Sequence, residues 1–172
     1  IINYLNLSPL KDQELYDNQL TKMLEIINKA QETEALKISS SIFGIISYLN
    51  LSPLKDEELY DNQLNKILEI INKAQEIVGP ICSIIDHLNK SSLKDQKLYD
   101  NQLSNILELI NKQKELEIVE VSTWIVYITY FLNKKLLVKE EYICQLNEIL
   151  EIINKEDKEK VKKFLLEMKI IK

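Results

Sequence analysis

One block of sequence occurs four times in this chain, and that repetition constrains the fold more than any other feature. The 172 residues open with IINYLNLSPLKDQELYDNQLTKMLEIINKAQE at 1–32, and IISYLNLSPLKDEELYDNQLNKILEIINKAQE follows at 45–76. The two blocks differ at four of 32 positions. A third copy starts at Ile84 and a fourth at Ile128; the fourth has lost one residue in its central turn. The string LYDNQL stands at 15–20, 59–64 and 98–103, and decays to EYICQL at 141–146. A block that cannot bury its own apolar face is stabilised by stacking against its copies.

Each copy reads as two helices. The first closes at a Leu-Asn pair: Leu5-Asn6, Leu49-Asn50, Leu88-Asn89 and Leu132-Asn133. Asn tolerates the left-handed conformation that ends many helices, and that role is expected here. Pro9 and Pro53 in the turn stop the first helix from continuing. Asp12, Asp56 and Asp95 are placed to accept the first backbone N–H groups of the second helix, with Glu57 and Glu58 favouring its positive end. Ser52 as cap with Pro53 in the first turn is the alternative, and it would turn Leu54 off the apolar face. The first helix of copy two is expected to start near Ser39 or Ser40. In copy three Gly79-Pro80 should reset the chain and shorten that helix. Val161, Phe164, Leu165, Met168 and Ile171 form one stripe of a last helix, which reads as a terminal cap.

The expected fold is therefore all-α: a right-handed α-solenoid of four helix-turn-helix repeats with a C-terminal capping helix, in one domain. Its units are 1–32 (lacking the start of its first helix), 33–76, 77–115 and 116–155, with the cap at 156–172. A compact helical bundle is the alternative. The period of about 40 residues resembles that of HEAT and armadillo arrays. The tetratricopeptide pattern is absent.

Advancing about 100° per residue along the second helix of copy two sorts it into faces. Tyr60, Leu64, Ile67, Leu68 and Ile71 share one arc, flanked by Leu59 and Ile70. Gln63 falls inside that arc, and Gln19, Gln102 and Gln145 are its equivalents. A buried amide needs partners, so these four are expected to be structural core amides bonding the turn or the next unit. Asn62 and Glu69 should face water. Asp61, Asn65 and Asn72 lie just beyond the apolar edge, with Asp17, Thr21 and Asn28 in copy one and Asp100, Ser104 and Asn111 in copy three. Copy four places Ile143, Asn147 and Asn154 there. Stacking would align these into a polar ladder. Armadillo arrays are similar in one respect, since their Asn ladder grips an extended peptide; the resemblance implies a binding ladder, and a solvated margin is the alternative.

Composition narrows the function classes. The net charge is −5 and every one of the 22 basic residues is Lys. Without the planar fork of Arg, phosphate and base recognition is poorly served, so nucleic acid is an unlikely partner. One His, two Gly and the lack of a Gly-rich loop leave no catalytic constellation. No cofactor or metal site is expected. His87, standing where Tyr4 and Tyr48 stand, reads as a packed side chain. Cys82 and Cys144 have no ligand spacing and read as reduced thiols. The longest apolar run, WIVYITYFL at 124–132, is nine residues and too short to span a bilayer. There is no signal-peptide pattern, so a soluble chain of unknown compartment is expected. The chain begins with Ile, as a processed product or fragment would. Trp124, Tyr127 and Tyr130 should pack against the cap or, if exposed, form a contact patch. These features favour a scaffold that binds a protein or extended peptide. A self-associating structural segment (a homo-oligomer) is the second reading, and RNA binding a weaker third.

Overall fold

A computed structural model describes residues 1–30, 32–155, 161, 163, 165 and 166, with the side chains of 32–34 and 115–116 left out. Among these residues the protein is all-helical, without strands. Eight α-helices follow in order: α1 (Ile2–Leu5), α2 (Gln13–Lys29), α3 (Glu32–Asn50), α4 (Glu57–Lys73), α5 (Val78–Lys90), α6 (Gln96–Asn111), α7 (Glu115–Lys134) and α8 (Lys139–Asn154). A 3-10 turn, Gln75–Ile77, precedes α5.

The second helices begin where the aspartates stand. The side chains of Asp12, Asp56 and Asp95 accept from the N–H groups of Leu15, Leu59 and Leu98, each at 3.0 Å. These caps satisfy donors that no helical carbonyl can reach. Ser52 does not cap α4. It is buried in the turn, where its hydroxyl donates to Leu49 O at 2.6 Å and accepts from Leu54 N at 3.2 Å. Ser91 repeats that arrangement with Leu88 and Leu93.

Three local expectations are corrected. The asparagines do not close their helices in left-handed geometry: Asn6 is right-handed helical at φ −62°, and Asn50 and Asn89 lie within α3 and α5. The one non-glycine residue with positive φ among the described residues is Leu136, at 51°. It sits in the turn of copy four that lost a residue, and shortening that turn forces the conformation. Helix α3 starts at Glu32, well before Ser39, because nothing between Glu32 and Ser39 breaks a helix. Pro80 does not precede α5 but occupies its first turn, where the missing N–H has no helical acceptor to lose. That helix is nonetheless the shorter one expected, 13 residues against 19 for α3.

Odd-numbered helices pack on odd ones in sequence, α1 on α3, α3 on α5 and α5 on α7. Even-numbered helices do the same from α2 to α8. The two sets meet through α2–α3, α5–α6, α6–α7 and α7–α8. One apolar core runs between them from Leu5 through Tyr60, Tyr99 and Tyr142 to Val161 and Leu165. The proposed cap contributes these last two buried residues; Phe164, Met168, Ile171 and most of 156–172 lie outside the described residues. No helix among the described residues is long and apolar enough to cross a membrane.

Candidate binding grooves between successive helices

The polar residues beyond the apolar edge are largely tied to the preceding unit. Gln19 Nε2 donates to Asp61 Oδ1 at 2.6 Å, and Gln63 Nε2 to Asp100 Oδ1 at 2.5 Å and Ser104 Oγ at 2.6 Å. The core amides and the ladder aspartates are thus two halves of one inter-unit bond. Lysines add further ties. Lys22 Nζ donates to Asn65 Oδ1, Lys29 Nζ to Asn72 Oδ1 at 3.1 Å, and Lys66 Nζ to Ser104 Oγ at 3.1 Å. Lys73 Nζ reaches Asn111 O at 2.7 Å, while Asn111 Nδ2 donates to Glu69 at 3.3 Å. Asn65 also donates to Asp61 Oδ2 at 2.8 Å. Asp17 accepts from Gln13 Nε2 at 2.8 Å instead. Thr21 and Asn28 are exposed on α2.

Gln19, Gln63 and Gln102 are buried as expected, and the Oε1 of each makes no hydrogen bond with the protein. Gln102 faces copy four, where Ile143 replaces the accepting aspartate. Gln145 departs from the expectation. It is half-buried and accepts from Lys135 Nζ at 3.1 Å.

Two sets of ties fell outside the sequence reading. Asn50, Asn89 and Asn133 donate through Nδ2 to the carbonyls of Tyr4, Tyr48 and His87 in the preceding unit, at 2.7, 2.6 and 2.6 Å. Their Oδ1 atoms accept from the tyrosine of their own unit: Tyr60 to Asn50 at 2.8 Å and Tyr99 to Asn89 at 2.7 Å, as Tyr16 does to Asn6 at 2.7 Å. In copy four the deleted residue breaks the pairing: Asn133 Oδ1 and the Tyr142 hydroxyl are both buried and do not bond to each other. The signal was present in the constant separation of Asn and Tyr in three copies. The second set is in the turns. Glu57 Oε1 accepts from Lys11 N and Asp12 N, and Gln96 Oε1 from Lys55 N and Asp56 N, at 2.5–2.8 Å. Burial pushes the Tyr60, Tyr99 and Tyr142 phenols far above their ordinary range, and the neighbouring Ser91 side chain opposes this at Tyr142. All three therefore remain protonated near neutral pH.

Shallow grooves remain among these ties, which cross them: Lys22–Asn65 and Lys29–Asn72 span the first, and Lys66–Glu108, paired at 3.3 Å, spans the second. A groove of about 360 Å³ runs between α2 and α4, floored by Ile26 and Leu68 and edged by Lys22, Glu25, Lys29, Asn65, Glu69 and Asn72. One of about 220 Å³ lies between α4 and α6, lined by Lys66, Glu69, Ile70, Leu107, Glu108 and Asn111. One of about 270 Å³ lies between α6 and α8, where Leu109 and Leu150 form the floor and Asn105, Glu108, Lys112, Asn147, Glu151 and Asn154 the edges. All three use the same repeat positions. Each offers an apolar strip between carboxylates, amides and lysines.

Elsewhere, His87 is half-buried with Nδ1 3.1 Å from Thr129 Oγ1 and its ring 5.6 Å from that of Tyr130. Desolvation lowers its pKa; Asp86 and the Val126 carbonyl oppose this and Lys90 adds to it. Burial, with Asp86 beside it, raises the Cys82 thiol and makes it a poor nucleophile. Trp124 is buried, whereas Tyr127 and Tyr130 are each more than two-fifths exposed. Among the described residues no three His, Cys, Asp or Glu side chains are grouped to hold a metal ion. The chain matches no protein-family model, and no curated protein or solved structure resembles it significantly.

Proposed function

We propose that this chain is a non-enzymatic helical-repeat module, arranged as an α-solenoid, that binds an extended protein segment across its even-numbered helices. The observation that carries the reading is the recurrence of one groove at the same repeat positions between α2 and α4, α4 and α6, and α6 and α8. Packed helices lie about 8–10 Å apart. A polyproline-II segment presents the same face every three residues, about 9 Å along its axis. One turn of such a ligand therefore spans one groove, with its apolar side chain on the floor and its backbone amides against Asn and Glu. The open array is favoured over a closed bundle because the extensive packing joins each unit to its neighbours.

Two experiments test this. Spin labels at Asn18→Cys and native Cys144, both exposed and at equivalent positions of α2 and α8, report the arrangement in a Cys82→Ala background. Three helix spacings give about 27 Å in an array, and a bundle closing α2 on α8 gives about 10 Å. For binding, peptides selected from a random library on the full chain should lose at least about tenfold affinity with Asn72→Ala and Asn111→Ala together, about the loss of one hydrogen bond. Selected peptides that bind this variant unchanged would refute the groove reading.

A further inference from the structure

The first unit presents a face that every later unit keeps covered. Leu24 is 47% exposed, whereas Leu68, Leu107 and Leu150, at the same repeat position, are 3%, 1% and 7% exposed. Tyr16, Leu20 and Ile27 are half-buried, whereas Tyr60, Leu64 and Ile71 are fully buried. A cavity of about 340 Å³ opens beside them, at Asn6, Leu10, Lys11, Gln13 and Tyr16. The polar groups of this face match those that tie later units to the unit before. Asp61 and Asp100 accept from Gln19 and Gln63. Glu57 and Gln96 accept from the preceding turn. In unit one, their counterparts Asp17 and Gln13 pair with each other instead.

We propose that the α1/α2 face is a docking surface for a helical hairpin of the unit-one type, presenting a glutamine and two lysines at the positions of Gln19, Lys22 and Lys29. The internal contacts of α2 with α4 and of α4 with α6 are the same interface already formed twice. The far end of a second copy does not fit. There Gln145 is taken by Lys135, Glu148 stands in place of Lys22, and Lys155 is held by Glu151 at 2.6 Å. The inference is independent of what the grooves bind.

The test extends the full chain with an added copy of residues 1–44 before Ile1, which repeats the register between units one and two. Leu24→Cys, in a background of Cys82→Ala and Cys144→Ser, is labelled with a thiol reagent. Docking should slow labelling by about tenfold or more, since reaction then requires local opening. Amide exchange of α2 in an extended chain with native Leu24, Cys82 and Cys144 should slow in parallel. Replacing the glutamine of the added copy by Leu and its two lysines by Glu should abolish the protection. Unchanged labelling overturns the proposal whether or not the added copy is helical, because such units fold by docking. Equal protection by the substituted copy also overturns it. So does protection in the unextended chain that rises with concentration, since the occupant would then be a second copy.

Discussion

Asn50 holds three helices at once, and removing its side chain should cost far more than removing its counterpart Asn133. Asn50 Nδ2 donates to Tyr4 O of α1 at 2.7 Å, and its Oδ1 accepts from the Tyr60 hydroxyl of α4 at 2.8 Å. Tyr60 is fully buried, so Asn50→Ala leaves its hydroxyl with neither water nor acceptor. An orphaned buried donor costs about 1–3 kcal/mol and the lost bond to Tyr4 about 1 more, giving about 2–4 kcal/mol. Asn133 makes the corresponding bond to His87 O, but its Oδ1 and the Tyr142 hydroxyl do not bond to each other. Asn133→Ala should therefore cost about 1 kcal/mol. Double-mutant cycles isolate the difference, since the bond to the preceding carbonyl cancels. Asn50→Ala with Tyr60→Phe should show a coupling of about 1–3 kcal/mol, and Asn133→Ala with Tyr142→Phe a coupling near zero. Urea unfolding followed by circular dichroism, at equal slope across variants, gives the values. Equal couplings in the two units would refute the claim that the deleted residue broke the pairing.

Other tests follow from the same structure. Leu136→Gly should stabilise the chain by about 1 kcal/mol, because φ of 51° strains a leucine and not a glycine; thermal unfolding reads this, and a loss of stability would contradict it. Asp56→Ala should cost about 1 kcal/mol and speed amide exchange at Leu59 first, with unaltered exchange there counting against the cap. A Cβ on Gly44 would lie 3.0 Å from Cys82 Sγ, so Gly44→Ala should gain its full helix-propensity benefit of about 1 kcal/mol only when combined with Cys82→Ala. The lowered pKa of His87 means that the folded state favours the neutral ring. Its contribution is present above the unfolded value near 6.5 and is lost as pH falls through the folded one. Stability measured from pH 7 to 5 should fall less steeply in His87→Gln than in the native chain.

The reach of sequence reasoning differed from residue to residue. The Asp56 cap was legible because its bond closes within three residues. Burial of Gln63 was legible because helical angle alone puts it among Leu and Ile. Its partner was not, since which unit supplies the acceptor depends on how far one helix is shifted along the next. For the same reason Asp61 and Asp100 read as open ligand positions, although each is occupied by a glutamine of the preceding unit. The role of Asn50 lies beyond any local rule about helix ends, because its partners stand 10 and 46 positions away. The Ser39-Ser40 pair resembles a helix boundary in sequence, but continuous helix lets Ile38, Ile42, Ile45 and Ile46 reach the core together.

The sequence by itself determined that the chain is helical, where its second helices begin and which stripe of each is apolar. These follow from backbone propensity, capping and the 3.6-residue period, all of them local. Only the tertiary structure decided which polar side chains are consumed in joining units, where grooves remain between them, and which face of the first unit stays open. Those outcomes depend on the offset between helices distant in sequence, and no local pattern encodes that offset.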